Sequence, residues 1–149
     1  MTERDDVRLL REAIELSRSA PPSQTAFSVG SLIARDGAIL ATGYSRERGP
    51  QYHAEQVALE KAAELGLDLG GATLYTSLEP CGARKSDPRA CTVRILDAGI
   101  ARVVFAMREP PVFVEGEGAE KLADAGVEVV ELDAEASQVA QINAHLLTR

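Results

Sequence analysis

The sequence predicts an α/β fold: a three-layer α/β/α sandwich with a five-stranded mixed sheet. Three observations predict it. Helical and strand patterns alternate along the chain. One pair of strands is joined by a tight turn and must run antiparallel. The later strands are separated by helices, each long enough for a crossover connection that places helices on both faces of the sheet. Hydrophobic residues make up 45% of the chain, yet aromatics are only 4% and Trp is absent. The core is therefore mostly aliphatic, which suits buried strands covered by helices.

Each element has its own signal. Val7, Leu10, Ala13, Ile14 and Ser17 recur at helical spacing and predict a first helix over residues 2–19, stopped by Ala20-Pro21-Pro22. Residues 27–34 and 38–44 read as strands around Asp36-Gly37, a dipeptide suited to the positive φ of a hairpin turn. Residues 53–65 read as the second helix, with Ala54, Val57, Ala58 and Ala62 on one face and Gly66 as its stop. A short buried strand over 73–77 follows, then a helix over 90–98 ended by Gly99, a strand over 102–106 and a helix over 119–125 ended by Gly126. The last strand is expected over 127–132 and a closing helix over 134–147. Irregular stretches at 66–71, 79–89 and 108–118 remain, and ordered loops of that length in a compact domain are often functional.

The chain of 149 residues is expected to form a single domain over 1–149. A net charge of −7 and a sequence pI near 4.9 oppose binding to nucleic acid and favour a small-molecule partner. Residues 1–6 are charged where a signal peptide would turn apolar, and no apolar run approaches membrane-spanning length. The expected location is the cytoplasm, where a pair of cysteines more often marks metal binding or catalysis than a disulfide.

The chemistry concentrates in three segments. His53-Ala54-Glu55 opens the second helix, Pro80-Cys81 follows the 73–77 strand, and Cys91 opens the next helix. Zinc favours nitrogen and thiolate donors in tetrahedral geometry, and catalytic sites keep one of the four positions for water. His53, Cys81 and Cys91 supply three donors and leave that position free. Helix N-termini assist, because their free N–H groups and dipole favour thiolate over thiol. Two thiolates and a neutral imidazole cancel the zinc charge, so the metal acidifies water less than an all-histidine site would. A carboxylate base is then required, and Glu55, two residues past His53, is placed to provide it as the catalytic residue. A closed structural knuckle would need a fourth ligand. The other histidine, His145, lies in the expected last helix and reads as a surface residue. The spacing His-x-Glu, then Pro-Cys with a second Cys, is that of zinc-dependent nucleobase deaminases.

Beyond the metal motif, the chain resembles the cytidine deaminase-like superfamily, and within it the deaminases of riboflavin biosynthesis. The likeness runs from Thr25-Ala26-Phe27-Ser28-Val29-Gly30 through Thr42-Gly43-Tyr44-Ser45-Arg46-Glu47, His53-Ala54-Glu55-Gln56, Gly71-Ala72-Thr73-Leu74-Tyr75-Thr76 and Leu78-Glu79-Pro80-Cys81. It continues in Ile95-Leu96-Asp97-Ala98-Gly99-Ile100, in Glu109-Pro110 with Phe113-Val114-Glu115-Gly116, and in Leu122-Ala123-Asp124-Ala125-Gly126-Val127. The interval between the cysteines points the same way. Many nucleobase deaminases have Pro-Cys-x-x-Cys, whereas nine residues separate Cys81 from Cys91 here, similar to the riboflavin branch.

The resemblance implies one zinc per chain, a homodimer or higher homo-oligomer, and hydrolytic deamination of the diamino-ribosylamino-pyrimidinone 5′-phosphate intermediate of riboflavin biosynthesis by a deaminase domain without a fused reductase. It also implies that the backbone N–H of Cys81 serves the developing oxyanion and that the carbonyl of Ser77 orients the amino group. Arg84, Lys85 and Arg89, between the cysteines, suit a phosphate or else form a solvated basic loop. Phe27 either lines the base pocket or is a core residue opening a strand. Two departures touch the substrate and not the metal: Thr25-Ala26-Phe27 replaces the Pro-Asn-Pro of the bacterial riboflavin enzymes, and the reductase they often carry is not seen in the sequence. Other amino-heterocycles (a cytosine nucleoside, dCMP, guanine or an aminotriazine) therefore stand as alternative substrates, and a zinc-stabilised non-catalytic binding module as an alternative class.

Overall fold

The computed structural model of the chain describes residues 3–81, 91–108 and 118–147. Its elements are α1 (Glu3–Ser17), β1 (Gly30–Arg35), β2 (Ala38–Tyr44), α2 (Ala54–Glu64), β3 (Thr73–Leu78), α3 (Cys91–Asp97), β4 (Arg102–Met107), α4 (Gly118–Asp124), β5 (Glu128–Glu131), α5 (Ala136–Ile142) and α6 (Ala144–Leu147). The five strands form one sheet in the order β2-β1-β3-β4-β5. β1 is antiparallel to both β2 and β3, while β4 is parallel to β3 and to β5. This is the mixed five-stranded sheet expected from the alternating pattern.

Strand alternation sorts the core into two clusters. Leu32, Tyr75 and Val104 point to one face and pack with Leu10 and Ile14 of α1, Val139 of α5 and Leu146 of α6. Ile33, Leu74 and Val103 point to the other and pack with Ala58 and Ala62 of α2, Ile95 of α3 and Leu122 of α4. The hairpin turn forms as expected, with Asp36 at φ 54° and Gly37 at φ 81°. α2 rides unusually close to β2: a Cβ on Gly43 would stand 2.4 Å from the carbonyl oxygen of Ala54. Glycine there lets the helix that carries the site rest directly on the sheet.

Two expectations are corrected. The strand expected over 27–34 begins only at Gly30, because side chains claim the backbone before it. Ser28 N–H donates to Asn143 Oδ1 at 2.7 Å, Val29 N–H to Ser45 Oγ at 2.8 Å, and Gly30 N–H to Ser77 Oγ at 3.1 Å. The closing helix expected over 134–147 is instead a 3₁₀ turn at Asp133–Glu135 followed by α5 and α6. The break falls at Asn143, whose Nδ2 donates to the carbonyls of Ser28 (3.2 Å) and Val139 (3.1 Å). Asparagine competes with helical backbone bonding, and here its side chain ties the last helices to the segment leading into β1. The remaining elements differ from expectation by a few residues at their ends.

Among the described residues, no helix is long and apolar enough to cross a membrane.

Candidate metal and proton-transfer site

The site lies past the C-terminal end of β3, where the N-termini of α2 and α3 converge. His53 precedes α2 with extended backbone (φ −89°, ψ 154°), and its N–H donates to Gln56 Oε1 at 3.4 Å. Gln56 thus supplies the return half of a helix-start exchange. Cys81 ends the extension of β3, and Cys91 starts α3 with its N–H donated to Cys81 Sγ at 3.3 Å. The imidazole Nδ1 of His53 is 3.7 Å from Cys81 Sγ and 3.3 Å from Cys91 Sγ.

These distances fit zinc. Bonds of about 2.3 Å to sulfur and about 2.0 Å to nitrogen at tetrahedral angles place N and S roughly 3.5 Å apart. The three donor atoms all lie within 4.8 Å of one another. Both cysteines are free, and they are 4% and 0% exposed. The donor set is compact, with two soft sulfurs and a half-buried imidazole, and matches the ligand types zinc favours. The thiols already behave unequally. Cys81 is pushed down to about 4, chiefly by the hydrogen bond from Cys91 and, against the cost of burial, by His53. Cys91 is pushed up, first by Cys81, then by burial and the nearby Glu55 carboxylate. A bound cation would favour the thiolate form of both.

Glu55 stands in the first turn of α2 and is 4% exposed. Its carboxylate lies beside the Cys91 thiol. Oε1 accepts hydrogen bonds from Thr76 Oγ1 at 2.8 Å and Ser31 Oγ at 3.1 Å. A buried carboxylate adjacent to a three-donor cluster, yet outside it, is what a proton carrier at a catalytic zinc site requires.

The structure thus brings together His53, Cys81, Cys91 and Glu55. Ser77 is fully buried on β3, and its hydroxyl is used by Gly30. Phe27 is 6% exposed and packs in the cluster beneath α1. His145 is exposed, as expected, with Nε2 2.8 Å from the Ser23 carbonyl. Arg84, Lys85 and Arg89 lie outside the described residues. Sequence reasoning passed over Ser31, Thr76 and Arg46. The first two carry a legible signal, as polar residues inside otherwise apolar strands. Arg46 has a left-handed backbone (φ 63°). Its N–H donates to the Tyr52 carbonyl at 2.8 Å, and its guanidinium donates to the carbonyls of Pro21 and Phe27. It thereby braces the approach to His53, and no spacing rule announces it.

An α/β/α sandwich with a His/Cys/Cys cluster at two helix starts and a non-ligating buried glutamate defines a class, the zinc-dependent nucleobase deaminase fold. Known proteins narrow it. The model of the cytidine and deoxycytidylate deaminase zinc-binding region matches residues 3–107, and the chain belongs to that family. The diaminohydroxyphosphoribosylamino-pyrimidine deaminase of Schizosaccharomyces pombe is 38% identical over 122 residues, covering 80% of this chain and 30% of that protein. Among solved structures, a diaminohydroxyphosphoribosylaminopyrimidine deaminase/5-amino-6-(5-phosphoribosylamino)uracil reductase from Thermotoga maritima superposes with a TM-score of 0.80 at 32% identity, covering 97% of this chain and 41% of that one. The Rib2 deaminase of Aspergillus oryzae (a C-terminal deletion mutant) gives 0.73 at 26% identity, covering 95% of this chain and 98% of that one. The chain spans about three-tenths of the length of the curated relatives it matches.

Proposed function

We propose that the chain is a hydrolytic deaminase holding one zinc ion, acting on the diaminohydroxyphosphoribosylamino-pyrimidine that its relatives are named for. The observation that carries the reading is the pairing of a three-donor cluster with Glu55, a buried acid beside it and not part of it. Zinc at this site would act as a Lewis acid that makes water nucleophilic near neutral pH.

The chain's own residues do the rest. His53 presents Nδ1, and Cys81 and Cys91 present thiolates. Glu55 takes a proton from the attacking water and gives it to a ring nitrogen as the new C–O bond forms at the amino-bearing carbon. It then takes the second proton of that oxygen and gives it to the amine as the C–N bond breaks, so water is consumed and ammonia leaves. The backbone N–H of Cys81 steadies the oxygen as its charge develops, and the Ser77 carbonyl orients the departing amino group. Departing ammonia leaves a carbonyl on the ring.

The test is ammonia release by zinc-loaded protein across a panel: the ribosylamino-pyrimidine 5′-phosphate, its dephosphorylated form, cytidine, dCMP, guanine and an aminotriazine. Release is expected from the first compound and should fall sharply without its phosphate. A preference for any other ring would replace the substrate assignment, and silence across the whole panel with zinc bound would overturn the reading.

A further inference from the structure

We propose that Ser31 and Thr76 are positioning residues that tether one oxygen of the Glu55 carboxylate and so aim the other at the reacting water and ring. This rests on the deaminase reading above. The two residues sit directly opposite each other in the antiparallel β1–β3 ladder, and both are fully buried. Direct cross-strand partners hold their side chains side by side on one face. Here that face is the one covered by α2. Ser31 Oγ lies 2.8 Å from Thr76 Oγ1, and both hydroxyls reach the same atom, Glu55 Oε1, at 3.1 and 2.8 Å.

The triangle has a directional consequence. Each hydroxyl carries a single hydrogen. Thr76 has an alternative acceptor in the Leu78 carbonyl at 3.3 Å, and Ser31 has one in Thr76. Turned toward Oε1, the two donors approach from adjacent strands and fix the carboxylate against rotation about its last bond. Oε1 is then occupied, and Oε2 is the atom that moves protons. Leu32, Ile33, Ala34, Leu74 and Tyr75 on the same two strands are buried and make the two core clusters. A valine at 76 would match threonine in shape and remove a buried polar atom.

The experiment measures kcat and KM on the ring that the panel selects, with zinc content and melting temperature recorded for each variant. Thr76→Val is expected to lower kcat about 10- to 100-fold, the scale of a small misplacement of a catalytic group. KM should stay within about twofold and zinc at full stoichiometry. Thr76→Ser should restore most of the rate, since it returns the donor. In the Glu55→Gln background, Thr76→Val should cost no further activity, because residues acting as one unit are not additive. Ser31→Ala is expected to lower kcat in the same direction by a smaller factor, and it carries the test if Thr76→Val fails to fold. Wild-type kcat in the folded valine or alanine variant, or an undiminished further loss in the Glu55→Gln background, would overturn the proposal alone. A wild-type protein that releases ammonia from no ring would overturn the deaminase reading and this proposal with it.

Discussion

Tyr75 and Thr76 are neighbours on β3 that point to opposite faces of the sheet, and each enters a buried polar cluster of a different kind. On the α1 face, Tyr75 donates its hydroxyl to Asp6 Oδ1 at 2.6 Å. Arg102 grips both oxygens of the same carboxylate at 2.9 and 2.6 Å and reaches Glu128 at 2.7 Å. The Arg102 guanidinium holds Asp6 below the usual carboxylate range, while burial and the Asp6 carboxylate push Tyr75 well above the usual phenol range. On the α2 face, Glu55 meets two neutral hydroxyls, with two thiols and an imidazole beyond. The first cluster balances a buried anion with a cation and leaves nothing to react. The second sets an acid beside two thiols and an imidazole, donors that would hold a divalent cation. Charge balance by fixed side chains separates the stabilising cluster from the reactive one, although a single peptide bond joins them.

The comparison is broken most directly at its two carboxylates. Glu55→Gln is nearly the same shape and accepts the same hydrogen bonds at its carbonyl oxygen. It should lower kcat by about 10²- to 10⁴-fold, the usual worth of a general acid–base group, with zinc content and melting temperature close to wild type. Stopped-assay kinetics beside metal analysis check this, and near-normal turnover would remove Glu55 from its role. Next in size is loss of the metal: Cys91→Ala should abolish stoichiometric zinc and melt at lower temperature, because metal binding here is also folding energy. Retained full zinc would refute Cys91 as a ligand.

Asp6→Asn should do the reverse of Glu55→Gln. It leaves Arg102, part-buried and still paired with Glu128, facing a neutral amide, and losing the buried charged partner costs about 1–3 kcal/mol. Urea unfolding should show that loss, while kcat and KM of the folded fraction stay unchanged, since Arg102 opens β4 at the sheet end away from the metal donors. An intact unfolding midpoint would show that the cluster does not stabilise.

How legible these two clusters were in the sequence differs for a physical reason. The reactive one is written in residue types that evolution uses sparingly: His53, Cys81 and Cys91 are read by chemistry and spacing before any fold is known. The sheet and its hairpin are legible through alternation and Asp36-Gly37, which act locally. The stabilising cluster is not legible, because Asp6, Tyr75 and Arg102 meet only once α1 lies across the sheet, and each alone reads as an ordinary helix or strand residue. Ser31 and Thr76 fall between. Their burial follows from the strands, but their convergence on Glu55 needs the β1–β3 register. The helix break at Asn143 is hidden for the same reason, since its partner Ser28 lies 115 residues away.

The finest contrast between the clusters is in their response to acid. Asp6 is held below its ordinary value of 3.8, first by the hydrogen bonds from Arg102, against burial, and then by Tyr75. A folded-state value below the unfolded one means that folding favours the ionised form. Its contribution to stability is therefore complete above about pH 4 and is lost as pH falls through the depressed folded value. The asparagine variant lacks that dependence. The difference in urea midpoint between wild type and Asp6→Asn should thus be constant from pH 7 down to about pH 5 and narrow below about pH 4. Protonation of the cysteines and loss of zinc in acid act on both proteins alike and cancel in the difference. A gap that widens toward acid would reverse the sign and show that Asp6 is not held as a carboxylate in the folded chain.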